Sequence, residues 1–78
     1  MQLTLLTPHR KLVDGQAIEE VMVPGVAGTL DMLPGHANFV SPLETGMIKW
    51  KSSGKWFSAT VSHGIVEVYE GNVSVMAD

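Results

Sequence analysis

Residues that interrupt regular structure return along this chain at intervals too short for a helix of ordinary length: Thr7-Pro8, Asp14-Gly15, Pro24-Gly25, Pro34-Gly35, Ser41-Pro42, Ser53-Gly54, His63-Gly64 and Gly71-Asn72. Proline fixes φ and has no N–H to give, and glycine supplies the left-handed conformations of tight turns. Between these points stand short runs of Val, Ile, Leu and aromatic residues. Such spacing predicts an all-β chain, a flattened antiparallel β-sandwich of about 8–10 short strands with loops gathered at its ends.

A length of 78 residues makes this one domain, residues 1–78. Its core must be thin, because a chain of this size removes only about 60% of its unfolded surface from water.

Two hairpins carry a register, since a slip of one residue would turn every apolar side chain outward. The first turns at Ser53-Gly54. Pairing Trp50 with Phe57 and Ile48 with Ala59 collects Ile48, Trp50, Phe57, Ala59 and Val61 on an inward face, with Lys49, Lys51, Trp56, Ser58 and Thr60 on the other. The second is read as turning at Gly71-Asn72, with Val68 opposite Val75 and Val66 opposite Ala77. Its inner face is then Val66, Val68, Val73, Val75 and Ala77, and its outer face, with Ile65, Glu67, Tyr69, Asn72, Ser74 and Met76, is mixed. Further strands are expected from Gln2 to Leu6, Ala17 to Val23, Thr29 to Met32 and Asn38 to Ser41.

Charge excludes one class of partner. The formal net charge is −3, and basic residues cluster only at His9-Arg10-Lys11 and at Lys49, Lys51 and Lys55. Binding to a phosphate backbone needs clustered cations that release counterions, so nucleic acid is not an expected partner. The chain has no cysteine, which excludes thiolate catalysis and cysteine metal sites. No apolar run approaches the length that crosses a bilayer, and the N-terminus lacks the pattern of a signal peptide.

The residues that could carry chemistry do not assemble into a motif. His9, His36 and His63 are too far apart for a local metal site and read as turn or surface residues. Val61-Ser62-His63-Gly64-Ile65 lacks the first glycine of a nucleophile elbow, and neighbours in a strand point to opposite faces. Gly25-Val26-Ala27-Gly28 has no following lysine and reads as a mobile loop rather than a phosphate cradle. No catalytic, cofactor or metal residue is therefore assigned. Most carboxylates read as solvated, with Glu67 expected to meet a basic or hydroxyl group across its strand. Trp56, beside Lys49, Lys51 and Thr60, is either an interface anchor or packed on the lysine stems of its own sheet. Leu33-Pro34-Gly35-His36-Ala37 forms a stiff, sharply turned loop of the kind that docks on something else.

The order of these segments resembles one family over essentially the whole chain. Leu3-Thr4-Leu5-Leu6-Thr7-Pro8, Gly15, Val23-Pro24-Gly25 with Gly28, Leu33-Pro34-Gly35-His36-Ala37, Pro42-Leu43, Gly46-Met47-Ile48, Ser62, Gly64-Ile65-Val66-Glu67-Val68 and Asn72-Val73-Ser74-Val75-Met76-Ala77-Asp78 are similar to the N-terminal β-sandwich domain of the F-type ATP synthase epsilon subunit, called delta in mitochondria. The resemblance implies a non-catalytic central-stalk subunit without cofactors. Its partners would be the gamma subunit and the c-subunit ring, and it would help couple proton or sodium translocation to ATP synthesis. It would meet the membrane only through the complex, on the cytoplasmic side of a bacterial plasma membrane or the organellar equivalent.

By the same resemblance Gly28, Thr29 and Asp31 face the c-ring, and Thr7, His36 and Ser41 lie toward gamma. Thr29 stands where many members are acidic and Asp31 where glycine is common, so the negative charge is displaced by two positions. His63 also replaces a usual glycine. Members of the family commonly continue into a C-terminal helical hairpin; it is absent from this sequence, so no helical autoinhibition or ATP binding is expected of it. Two rival readings are a biotinyl or lipoyl carrier domain, with Lys55 as the modified lysine but without its usual flanking residues, and a generic protein-interaction β-domain or a small hydrolase assembled only in three dimensions.

Overall fold

Alternation of buried and exposed side chains, the period of a strand with one wet face, runs through most of the chain and builds nine strands with no helix. The computed structural model describes all 78 residues. The strands are β1 (Gln2–Leu6), β2 (Lys11–Ala17), β3 (Glu20–Gly25), β4 (Gly28–Met32), β5 (Phe39–Leu43), β6 (Gly46–Ser52), β7 (Lys55–Val61), β8 (Gly64–Tyr69) and β9 (Asn72–Ala77).

Hydrogen-bonded neighbours run β2-β1-β9-β8-β5-β3-β6-β7, with β4 on the far side of β3. The link between β5 and β3 is the single pair Gly25 and Leu43, so the ladder folds over there. One layer is β2-β1-β9-β8-β5 and the other is β4-β3-β6-β7. Pro24 marks the corner: it offers no N–H, the β3–β6 ladder stops at Met22 opposite Lys49, and the Pro24 carbonyl accepts the Glu44 N–H at 2.8 Å. All ladders are antiparallel except β1 with β9. The all-β sandwich expected from the sequence is the observed architecture.

A single apolar cluster of 16 buried residues fills the space between the layers. Leu3, Leu5, Val66, Val68, Val73 and Val75 come from the five-stranded layer, and Val21, Val23, Met32, Ile48, Trp50 and Val61 from the four-stranded one. No charged or polar residue is buried with them.

The first hairpin has the expected register throughout. Ser53 and Gly54 both take positive φ (52° and 77°), the primed turn whose twist matches paired strands. Trp50 stacks on Phe57 with centroids 6.0 Å apart, yet Phe57 remains 42% exposed because β7 is an edge strand, a departure from the fully inward face expected.

The second hairpin corrects its expected register. Val68 pairs with Val73, Val66 with Val75 and Gly64 with Ala77, about a turn at Glu70-Gly71 rather than Gly71-Asn72. The turn moves by one residue and the pairing by two, so every side chain keeps its face and the inner valines stay inside. Glu70 adopts φ 48° because Asn38 brackets it: the Glu70 N–H donates to Asn38 Oδ1 at 2.9 Å and Asn38 Nδ2 donates to Glu70 Oε1 at 3.1 Å.

Two other expectations change. The strand expected from Ala17 to Val23 begins at Glu20 and continues through Pro24, and β2 was not anticipated. Only Val13 of β2 is buried, and two register irregularities interrupt its pairing with β1, which erases the alternation that would have announced it. Gly25-Val26-Ala27-Gly28 is a two-residue hairpin connection closed by Gly25 opposite Gly28, not a loose loop.

Candidate partner-binding surfaces

Gly28, Thr29 and Asp31 come together on β4, the edge strand of the four-stranded layer. Thr29 stands opposite Pro24 and Asp31 opposite Met22, and both are exposed. Glu20, two residues before Met22 on β3, lies diagonally across from Asp31 on the same face. It pairs on its other side with Lys51 of β6. The Glu20 carboxyl is held above its ordinary range, first by its hydrogen bond to Asp31, then by removal from water and by the Asp31 charge, with Lys51 opposing. Lys51 is itself shared, its Nζ lying 3.9 Å from Glu19 Oε2.

The face therefore offers two adjacent carboxyl groups beside a partly engaged lysine. It can accept hydrogen bonds or cationic groups from a docked loop. Sequence reading treated Glu20 as a solvated acid and missed this pairing. The register of the β3–β4 hairpin, centred on Val26-Ala27, was the signal that could have found it.

Thr7, His36 and Ser41 are not brought together. Thr7 follows β1 in a turn to Arg10, where its N–H donates to the Arg10 carbonyl at 2.9 Å and its hydroxyl takes the Arg10 N–H at 3.2 Å. That turn adjoins the end of the layer where Leu6, Met76, Ile65 and Pro42 form one row. His36 lies beyond the opposite end, where Phe39, Val68, Val73 and Leu3 are aligned. Its Nδ1 donates to the Ala37 carbonyl at 2.9 Å and its ring sits 5.1 Å from that of Phe39. Ser41 is between them on β5, half-buried on the inner side opposite Val66.

The outer side of the five-stranded layer is the larger apolar exposure. Val40 (65% exposed), Tyr69 (62%), Met76 (47%) and Ile65 (45%) share it with Pro42. Scattered apolar residues on a surface mean little, but adjacent ones on one sheet face form a contact patch. Glu67 stands within this face between Val40 and Ser74, with neither an ion pair nor a hydrogen bond, contrary to the expected cross-strand partner.

The remaining candidates are dispersed. His9, His36 and His63 are all exposed, on separate connections. Ser62 and His63 lie in the link between β7 and β8 rather than within a strand; the Ser62 N–H donates to the Asp78 carbonyl at 3.1 Å and His63 Nε2 is 3.2 Å from Asp78 Oδ2. Lys55 is the first residue of β7, beyond the Ser53-Gly54 tip. Trp56 is 47% exposed opposite Lys51. No helix is long and apolar enough to cross a membrane.

These features define a two-layer β-sandwich whose exposed chemistry is that of contact faces. The chain belongs to the family described as ATP synthase, Delta/Epsilon chain, beta-sandwich domain, which matches residues 1–78. The ATP synthase epsilon chain of Bdellovibrio bacteriovorus is 41% identical over 80 residues, covering 100% of this chain and 57% of its own length. That of Prochlorococcus marinus is 38% identical over 80 residues, covering 100% of this chain and 58% of its own. The chain thus spans a little over half the length of these relatives. Among solved structures, a chain of the Euglena gracilis mitochondrial ATP synthase (OSCP/F1/c-ring) superposes with a TM-score of 0.94 at 22% identity, covering 99% of this chain and 49% of that one. A chain of the Tetrahymena thermophila mitochondrial ATP synthase (central stalk/c-ring) gives 0.83 at 13%, covering 97% and 61%. At such identities the likeness is one of fold.

Proposed function

We propose that this chain is the β-sandwich part of a non-catalytic central-stalk subunit of an F-type ATP synthase, docking on the gamma subunit and the c-ring so that ion translocation is coupled to ATP synthesis. The observation that carries the reading is the match of the whole chain to the delta/epsilon β-sandwich family, joined to a body built for contact rather than for chemistry. Torque transmission asks for stiffness. Two layers clamped on one dry core resist shear, and exposed faces on either side leave room for two partners.

In this proposal Gly28, Thr29 and Asp31, with Glu20 behind them, meet polar loops of the c-ring. Gamma covers the apolar outer side of the five-stranded layer, reaching Thr7 at one end and His36 at the other, and meets Ser41 only by wrapping the open edge of β5, since that side chain faces inward. Burying about 800 Å² on each side would also stabilise a thin domain. The complex is the chain's only tie to the membrane, on the side where the catalytic head lies.

Co-purification from a native membrane fraction tests the reading: recovery with ATP synthase subunits is expected, and a chain found free or with unrelated proteins would reject it. A Thr29→Ala, Asp31→Ala double variant is expected to lose c-ring binding while keeping gamma, and unchanged rotor assembly would remove β4 from the interface.

A further inference from the structure

The edge of β7 is the least protected sheet margin, its single charge being Lys55 at the first position. β2 is distorted by two register irregularities, β4 is only five residues long and carries Asp31, and β5 contains Pro42. Each is a device that discourages another strand from adding on. β7 runs seven residues in regular register with no bulge, no proline and no acid.

Its hydrogen-bonding phase follows from the turn. Ser52 and Lys55 close a two-residue primed hairpin and exchange both bonds, so alternate residues from Lys55 bond to β6. Trp56, Ser58 and Thr60 therefore turn their N–H and C=O groups away from β6, and none of the backbone bonds outside the ladders engages them.

What lies beside this edge selects the occupant. Three of the five basic residues, Lys49, Lys51 and Lys55, belong to the β6–β7 hairpin of a chain whose net charge is −3. Lys51 has Glu19 as partner, whereas Lys49 and Lys55 have no ion pair. A depression of about 400 Å³ lined by Met22, Lys49, Trp56, Phe57 and Ser58 opens on the same hairpin. We propose that the β7 edge accepts an extended acidic peptide segment as an added antiparallel strand, its backbone pairing with Trp56, Ser58 and Thr60, an apolar side chain entering the Trp56 depression and its carboxylates meeting Lys49 and Lys55. The site borders both surfaces of the stalk reading, Met22 pairing with Asp31 of β4 and Thr60 sharing a hollow with Thr7, but its test uses the chain without either partner, so its failure is distinguishable from failure of that reading.

The test is amide hydrogen exchange on the 78-residue chain with a capped decapeptide of Glu-Glu and Val-Val pairs in turn, which sets both residue types on each face because Lys49 lies on the Trp56 face and Lys55 on the opposite one, and with the same peptide bearing lysine for glutamate. The acidic peptide should slow exchange at Trp56, Ser58 and Thr60 by about tenfold or more, leaving Phe57 and Ala59, already bonded to β6, little changed. A folded Lys49→Glu, Lys55→Glu variant should bind it about tenfold more weakly. Absence of protection at those three amides, equal binding of the basic peptide, or protection that appears without peptide as the chain self-associates would each overturn the proposal.

Discussion

At Gly64 the backbone of β8 passes so close to β9 that no side chain fits. A Cβ placed there would lie 2.7 Å from the Ala77 Cα and would press on the Met76 carbonyl oxygen, in a fixed ladder that cannot yield. Gly64→Ala should lower the unfolding free energy by about 1–3 kcal/mol, read from the urea midpoint. Glu20 is the second residue whose neighbours decide its behaviour. Its folded pKa is raised, so the native state holds a proton that the unfolded chain releases more readily; that stabilisation is full below the unfolded carboxylate range and is lost as pH rises through the folded value. Glu20→Gln should raise the melting temperature at pH 7, with the gap to the parent closing on acidification; a gap that is constant with pH would contradict the upward shift of Glu20.

Among the elements, the β8–β9 hairpin depends on a residue outside itself. A Glu-Gly pair is a poor primed turn, because glutamate in the left-handed region lacks the local side-chain bonds that favour asparagine or glycine there. Asn38, just before β5, supplies the missing support through its two bonds to Glu70. Asn38→Ala is expected to cost about 1–2 kcal/mol in urea unfolding and to speed amide exchange at Glu70, while the β6–β7 turn, whose Gly54 N–H donates to Glu19 Oε1 rather than to Asn38, exchanges as before. β2 and β7 show the two kinds of edge: one irregular and mostly solvated, the other regular and open to a partner.

Across the whole molecule, one core serves both layers, and the only ladder contact between them is Gly25 with Leu43. Neither layer can keep its apolar face dry alone, so the domain should unfold as a unit. Fluorescence from Trp50, in the four-stranded layer, and amide exchange in β1 and β9, in the other, should report the same transition. Ile48→Ala, at a fully buried position, should lower both together by about 2–5 kcal/mol, a large share of what a domain of this size has; two separated transitions would show independent layers.

Local chemistry written in the sequence determined the all-β class, the inward valines of β8 and β9, and the full β6–β7 register, because turn residues and a period of two act through neighbours along the chain. The order of its segments also carried the family resemblance. What only the tertiary structure decided needed distant partners: the Glu70-Gly71 turn set by Asn38, the fold-over at Pro24, the strand β2 whose alternation is blurred by bulges, and the meeting of Glu20 with Asp31. The candidate contact residues were legible only through the family resemblance, because a docking face has no period or motif of its own. Its position is fixed by which strands end at an edge, and that depends on how the layers close on their shared core.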